Sequence, residues 1–231
     1  MIPLKSDNPR TSPAIVTVVL ITLNILIFLY QFSLGPKAGQ RLVNTYGLIP
    51  ARAELLLAPA AHGTPVTLPQ VLVPLVTSMF LHGGWLHVLG NMLFLWVFGG
   101  SVEDRLGHFS YFFFYMVCGV GSGLFDTMVS WGSKIPTIGA SGAISGVMGA
   151  YIVLFPKSRI LTLIPIFIVF WTVRLPAFLL LGYWFVLQFL SGVGSLGVTD
   201  QGGVAWWAHV GGFLLGGLLV LGHREPRYRA V

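Results

Sequence analysis

The sequence predicts an all-α polytopic membrane protein, a bundle of six transmembrane helices with a long interfacial first loop. Three observations predict it. Of the 231 residues, 55% are hydrophobic and only 9% are charged, whereas a soluble domain carries about 25% charged residues. The apolar residues gather into runs comparable with the roughly 20 residues that cover ~30 Å of hydrocarbon. The 13 Lys and Arg residues cluster in short segments beside those runs, which is how basic loops flank membrane helices. That placement argues against nucleic acid as the reason for the net charge of +6. No polar linker or second compositional block interrupts the chain, so residues 1–231 are expected to form one membrane domain. The single cysteine, Cys118, excludes an internal disulfide or a paired-cysteine metal site.

The first span is Ile15 to Phe32. It is longer than the core of a typical signal peptide and lacks a convincing small-residue cleavage site, so it reads as a retained helix. Ser33 to Gly84 follows, apolar but broken by Pro50, Pro59, Pro65, Pro69 and Pro74. A structureless loop of that length is rare, and short helices half-sunk in one leaflet are expected instead. The remaining spans are Trp85 to Gly99, Phe109 to Trp131, Ser141 to Phe155, Pro176 to Gly192 and Val204 to Gly222. Leu161 to Trp171, between Arg159 and Arg174, is too short to cross and is expected to be interfacial or re-entrant. Six spans put both termini on one side, with every Lys and Arg except Lys37, Arg41, Arg52 and Lys134. Both termini are therefore expected in the cytoplasm and the protein in the plasma membrane.

Polar groups inside the spans are few, and such groups are functional suspects. Counting ~1.5 Å per residue back from the inner ends places His87, Ser141 and His209 in one layer ~20–23 Å above the inner boundary. Asn91 lies one turn below His87 on the same face. Gly212 and Gly216 share a face with His209, while Gly142, Ser145, Gly146, Gly149 and Ala150 line the fourth span. Such small-residue seams let helix backbones approach closely. Packed together, they would bring the Ser141 hydroxyl to the His209 ring.

Each residue also has a plainer reading. Ser141 can be a packing residue, His209 an interhelical hydrogen bonder, and His87 with Asn91 a polar clamp. A zinc site is disfavoured, because His82 and His87 are five residues apart and would point to different faces of a continuous helix. Glu103 and Arg105 fit a turn tying helices at the inner face as well as any catalytic role. Asp126 or Asp200 can orient His209, with nothing in the sequence choosing between them.

The motifs together resemble the rhomboid intramembrane serine proteases. Phe80-Leu81-His82-Gly83-Gly84-Trp85-Leu86-His87 through Asn91 resembles their histidine-asparagine motif, and Gly139-Ala140-Ser141-Gly142 their nucleophile motif. Ala208-His209 with Gly212 and Gly216 is similar to their sixth helix, and Val102-Glu103-Asp104-Arg105-Leu106-Gly107 to their second-to-third-helix loop. The resemblance implies a six-helix core, Ser141 as nucleophile and His209 as general base. It places His87, Asn91 and the Ser141 amide around the oxyanion. Some members carry an aromatic residue four positions after the nucleophile, beneath the histidine ring. Here that position is Ser145, so ring support must come from elsewhere, such as the Ser145 hydroxyl.

The chemistry this implies needs neither metal nor cofactor. A serine hydroxyl becomes a nucleophile when a base takes its proton, and an unperturbed imidazole titrates near neutrality. Substrates would be transmembrane segments of other proteins, cut near small residues in a water-filled cavity open to the outer side. The fifth span and Ser191 to Gly203 are candidates for its gate and cap. The main alternative is a catalytically silent protein that binds membrane clients in the same groove. A small transporter is the weaker rival, as no internal repeat is evident. Substrate identity and oligomeric state are not written in the sequence.

Overall fold

The computed structural model describes residues 1–57, 66–166, 169–196 and 204–223. Helices α1 (Ile15–Ser33), α7 (His108–Val129) and α9 (Ala177–Ser195) are each long and apolar enough to cross a membrane. So is the continuous run made by α5 (Trp85–Phe94), a π-helical turn (Leu95–Gly99) and α6 (Gly100–Leu106). The two remaining members of the bundle, α8 (Ser141–Leu154) and α10 (Trp206–Leu219), are only 14 residues each, or ~21 Å. These two short helices carry Ser141 and His209. The second helix runs seven residues beyond the expected end at Gly99.

Packing is asymmetric in the way lipid demands. In α1 only Thr17, Leu20, Asn24 and Phe28 are buried, one stripe at helical spacing, while Val18, Val19, Leu26 and Phe32 stay exposed. By contrast, Gly142 through Tyr151 of α8 are buried all round, making it the central helix. Its contact with α10 is backbone on backbone. A Cβ on Gly212 would strike the Gly142 carbonyl, one on Gly216 the Gly146 carbonyl, and one on Gly149 the Phe213 carbonyl. Lipid tails provide no hydrophobic drive between helices, so this close approach supplies the attraction.

The long first loop folds into α2 (Gly35–Tyr46), α3 (Pro50–Leu57), α4 (Leu68–Thr77) and a 3-10 turn (Ser78–Phe80). Thr67 and Gln70 form a capping box at the start of α4. The loop frames the approach to Ser141. Leu48 and Thr137 exchange backbone bonds of 3.1 and 2.7 Å, and Gly139 N–H donates to Ser78 O at 2.9 Å.

The segment Leu161 to Trp171, too short to cross a membrane, is built of strand rather than helix. Strands β2 (Arg159–Ile166) and β3 (Val169–Pro176) form a regular antiparallel hairpin, and β1 (Ile2–Ser6) adds to it in the order β1-β2-β3. Ile160 and Thr162 are buried while Arg159 and Pro165 are exposed, the two-residue period of a strand. The helical bundle thus carries a small sheet beside the second helix and α9.

Candidate active site

The site is assembled at the N-terminal ends of α5, α8 and α10. Ser141 opens α8, and the helical ladder begins with Ile144 N–H donating to Ala140 O. The N–H groups of Ser141 and Gly142 therefore lie outside the ladder, at the positive end of the helix. The glycine seam sets α10 against α8 so that Ser141 Oγ stands 2.8 Å from His209 Nε2. The close approach that the small-residue seams predict for these two side chains is thus a contact. His209 is 8% exposed and Ser141 is half-buried, so the pair sits at the edge of the packed interior.

His87 and Asn91 converge on the same place. Gly83 N–H donates to His87 Nδ1 at 3.2 Å, which leaves the proton of the neutral ring on Nε2, a donor. Gly139 adopts a φ of +118°, a conformation open to glycine but strained for other residues. A Cβ there would lie 2.7 Å from His87 Nε2 and 3.4 Å from Asn91 Nδ2. Asn91 Nδ2 is buried and has no hydrogen-bond partner among the described residues. Both side chains thus lie against Gly139, two residues before Ser141.

Other expectations need correction. Ser145 does not reach His209; its hydroxyl donates to Ser141 O at 2.6 Å, one turn back on the same helix. Asp126 does not reach the ring either, and accepts instead from the Thr137 hydroxyl at 2.8 Å. Asp200 lies outside the described residues, as does most of the loop between α9 and α10 expected to cap the site. The residue that meets His209 Nδ1 is Gln188 of α9, with Oε1 at 2.7 Å. Trp184, one turn earlier on α9, lies 5.8 Å from the His209 ring, tilted by 36°. Trp206 of α10 meets the same ring edge to face at 6.4 Å, so aromatic support comes from α9 and α10 rather than from the +4 position. The available signal was a lone amide in an otherwise apolar span.

His82 and His87 are not on separate faces of one helix, because His82 precedes the bend at Gly83-Gly84 and only His87 lies in α5. Their rings meet edge to face at 5.1 Å. His82 is fully buried, and its peptide is clamped by Gln31, which donates to His82 O at 2.7 Å and accepts its N–H at 3.1 Å. Glu103 and Arg105 belong to the far end of the bundle. Glu103 is fully buried and accepts from Val16 N–H, Thr17 N–H and the Thr17 hydroxyl at 2.7–2.8 Å, and its other neighbour is His108 Nδ1 at 2.6 Å. It caps the otherwise uncapped start of α1. Arg105 donates to the His223 carbonyl beyond α10.

Fold and site together define a helical integral membrane protein with a serine-imidazole pair where its two short helices begin. Residues 69–225 match the Rhomboid domain, and the chain belongs to the rhomboid family. It is 36% identical over 96 residues to Rhomboid protein 1, mitochondrial, of Saccharomyces cerevisiae, covering 38% of this chain and 27% of that one. It is 30% identical over 143 residues to RHOMBOID-like protein 6, mitochondrial, of Arabidopsis thaliana, covering 62% and 40%. To RHOMBOID-like protein 5 of the same plant it is 32% identical over 165 residues, covering 67% and 47%. The chain thus spans less than half the length of each of these relatives. The plasma-membrane location expected from the sequence is corrected by these matches, two of which are to proteins named as mitochondrial. Span length and charge asymmetry are properties of membrane helices generally and specify no particular membrane.

Proposed function

We propose that the chain is an intramembrane serine endopeptidase that hydrolyses peptide bonds in or near transmembrane segments of other membrane proteins. The observation that carries this reading is the 2.8 Å contact between Ser141 Oγ and His209 Nε2. Ser141 Oγ attacks the carbonyl carbon of the scissile bond as its proton passes to His209 Nε2. The oxyanion forms where His87 Nε2, Asn91 Nδ2 and the Ser141 N–H converge. Collapse breaks the C–N bond, and His209 returns the proton to the leaving amine. Water then attacks the acyl-enzyme, giving its proton to His209, and Ser141 is regenerated. A dyad without a carboxylate is consistent with the range of serine-hydrolase constellations.

Purified protein in lipid should cut a reporter transmembrane substrate bearing small residues, and Ser141→Ala should abolish cutting. Cleavage surviving in that variant removes Ser141 from the mechanism. Capture of the uncut substrate by the wild type, with no turnover, favours the silent client binder.

A further inference from the structure

We propose that Gln188 is a positioning residue that holds the His209 ring in the one neutral tautomer able to act as a base toward Ser141. This inference rests on the proteolytic reading above. Gln188 Oε1 lies 2.7 Å from His209 Nδ1, and both residues are buried, at 7% and 8% exposure. An amide oxygen only accepts hydrogen bonds, so Nδ1 must carry the ring proton. The Nε2 lone pair is then directed at Ser141 Oγ, 2.8 Å away on the opposite edge of the ring. In the other tautomer, Nε2–H would donate to the serine, and no base would face the hydroxyl proton. The ring nitrogen distal to the reaction commonly sets the tautomer in this way.

The choice of an amide has a physical logic. A carboxylate here would also accept from Nδ1–H, but burying its charge among apolar side chains is costly. Gln188 supplies an acceptor without that charge. Trp184 lies one turn earlier on the same face of α9, so α9 meets the ring both at its edge and with a tilted aromatic plane. At the companion site the logic is reversed. Gly83 N–H donates to His87 Nδ1, which puts the proton of that ring on Nε2 and makes it a donor. Two neighbouring histidines are thus held in opposite tautomers, one as base and one as oxyanion donor.

The test uses the full chain in lipid nanodiscs and two readouts. The first is the rate at which a fluorophosphonate probe labels Ser141. The second is the ¹⁵N spectrum of the His209 ring, assigned with His209→Ala, which reports the nitrogen that carries the proton. Gln188→Leu should slow labelling by about 10–100-fold, a part of the ~10²–10⁴ that a positioned base contributes, and should move the proton toward Nε2. Gln188→Glu keeps an acceptor and should restore both readouts towards wild type. The proposal is overturned if Gln188→Leu labels at the wild-type rate, or if labelling slows while the proton stays on Nδ1, which would mean packing alone. It is also overturned if the wild-type ring carries its proton on Nε2, because the amide N–H would then be the group facing Nδ1. Failure of the wild type to label refutes the proteolytic reading instead, and the ring spectra still decide whether Gln188 sets the tautomer.

Discussion

Replacing Gly139 with alanine should disable the site while leaving the bundle assembled. The residue holds a φ of +118°, and an added Cβ would stand 2.7 Å from His87 Nε2 and 2.9 Å from His87 Cε1. Two costs follow. Holding alanine in that backbone region costs on the order of 1–3 kcal/mol. The ring must also retreat by about 0.7 Å to reach the 3.4 Å at which ordinary contact begins, and misplacements of about 1 Å can cost ~10²-fold in rate. Loss of one oxyanion donor removes ~3–4 kcal/mol of transition-state stabilisation. The expected result is fluorophosphonate labelling of Ser141 slowed by roughly 10²–10³-fold, with a smaller loss of thermal stability in the same nanodiscs. Labelling of Gly139→Ala at the wild-type rate would show that His87 and Asn91 do not serve the oxyanion from where they stand.

Three further outcomes are expected. Gly216→Val drives a side chain into the Gly146 carbonyl, and because backbone cannot yield, the cost should be at least ~1–3 kcal/mol; denaturant titration in micelles would reveal it, and an unshifted midpoint would mean that the seam does not hold α8 to α10. Asn91→Ala should slow Ser141 labelling by about 10²-fold with little change in stability, since Asn91 Nδ2 makes no hydrogen bond within the described residues. Glu103→Leu leaves the Val16 and Thr17 N–H groups without their acceptor at ~1–3 kcal/mol for each stranded group. It should lower the unfolding temperature, yet the folded fraction should label at the wild-type rate. Slower labelling per folded molecule would link that end of the bundle to the chemistry.

How much of this was legible in the sequence varied with the range of the interaction. Ser141, His87 and His209 could be placed in one layer, with Asn91 one turn below, because helical rise is constant, and the glycines of α8 and α10 marked the faces that meet. Gln188 was not found, since its partner is set by how α9 leans on α10, which no spacing within either helix encodes. Ser145 was assigned toward the histidine, whereas a hydroxyl in a helix readily turns back to the carbonyl one turn earlier. The hairpin was missed because β2 is completed by β1, and pairing between Ile2–Ser6 and Arg159–Ile166 leaves no trace in local periodicity. The separation of His82 and His87 was misjudged by extending a helix through Gly83 and Gly84.

The most direct test of the central claim compares Ser141 labelling in the wild type and in His209→Ala, both folded in nanodiscs. If the imidazole 2.8 Å from the hydroxyl is its base, the wild type should label at Ser141 and the variant should do so on the order of 10²–10⁴ times more slowly. Equal labelling of the two proteins, or labelling at a residue other than Ser141, would contradict the account.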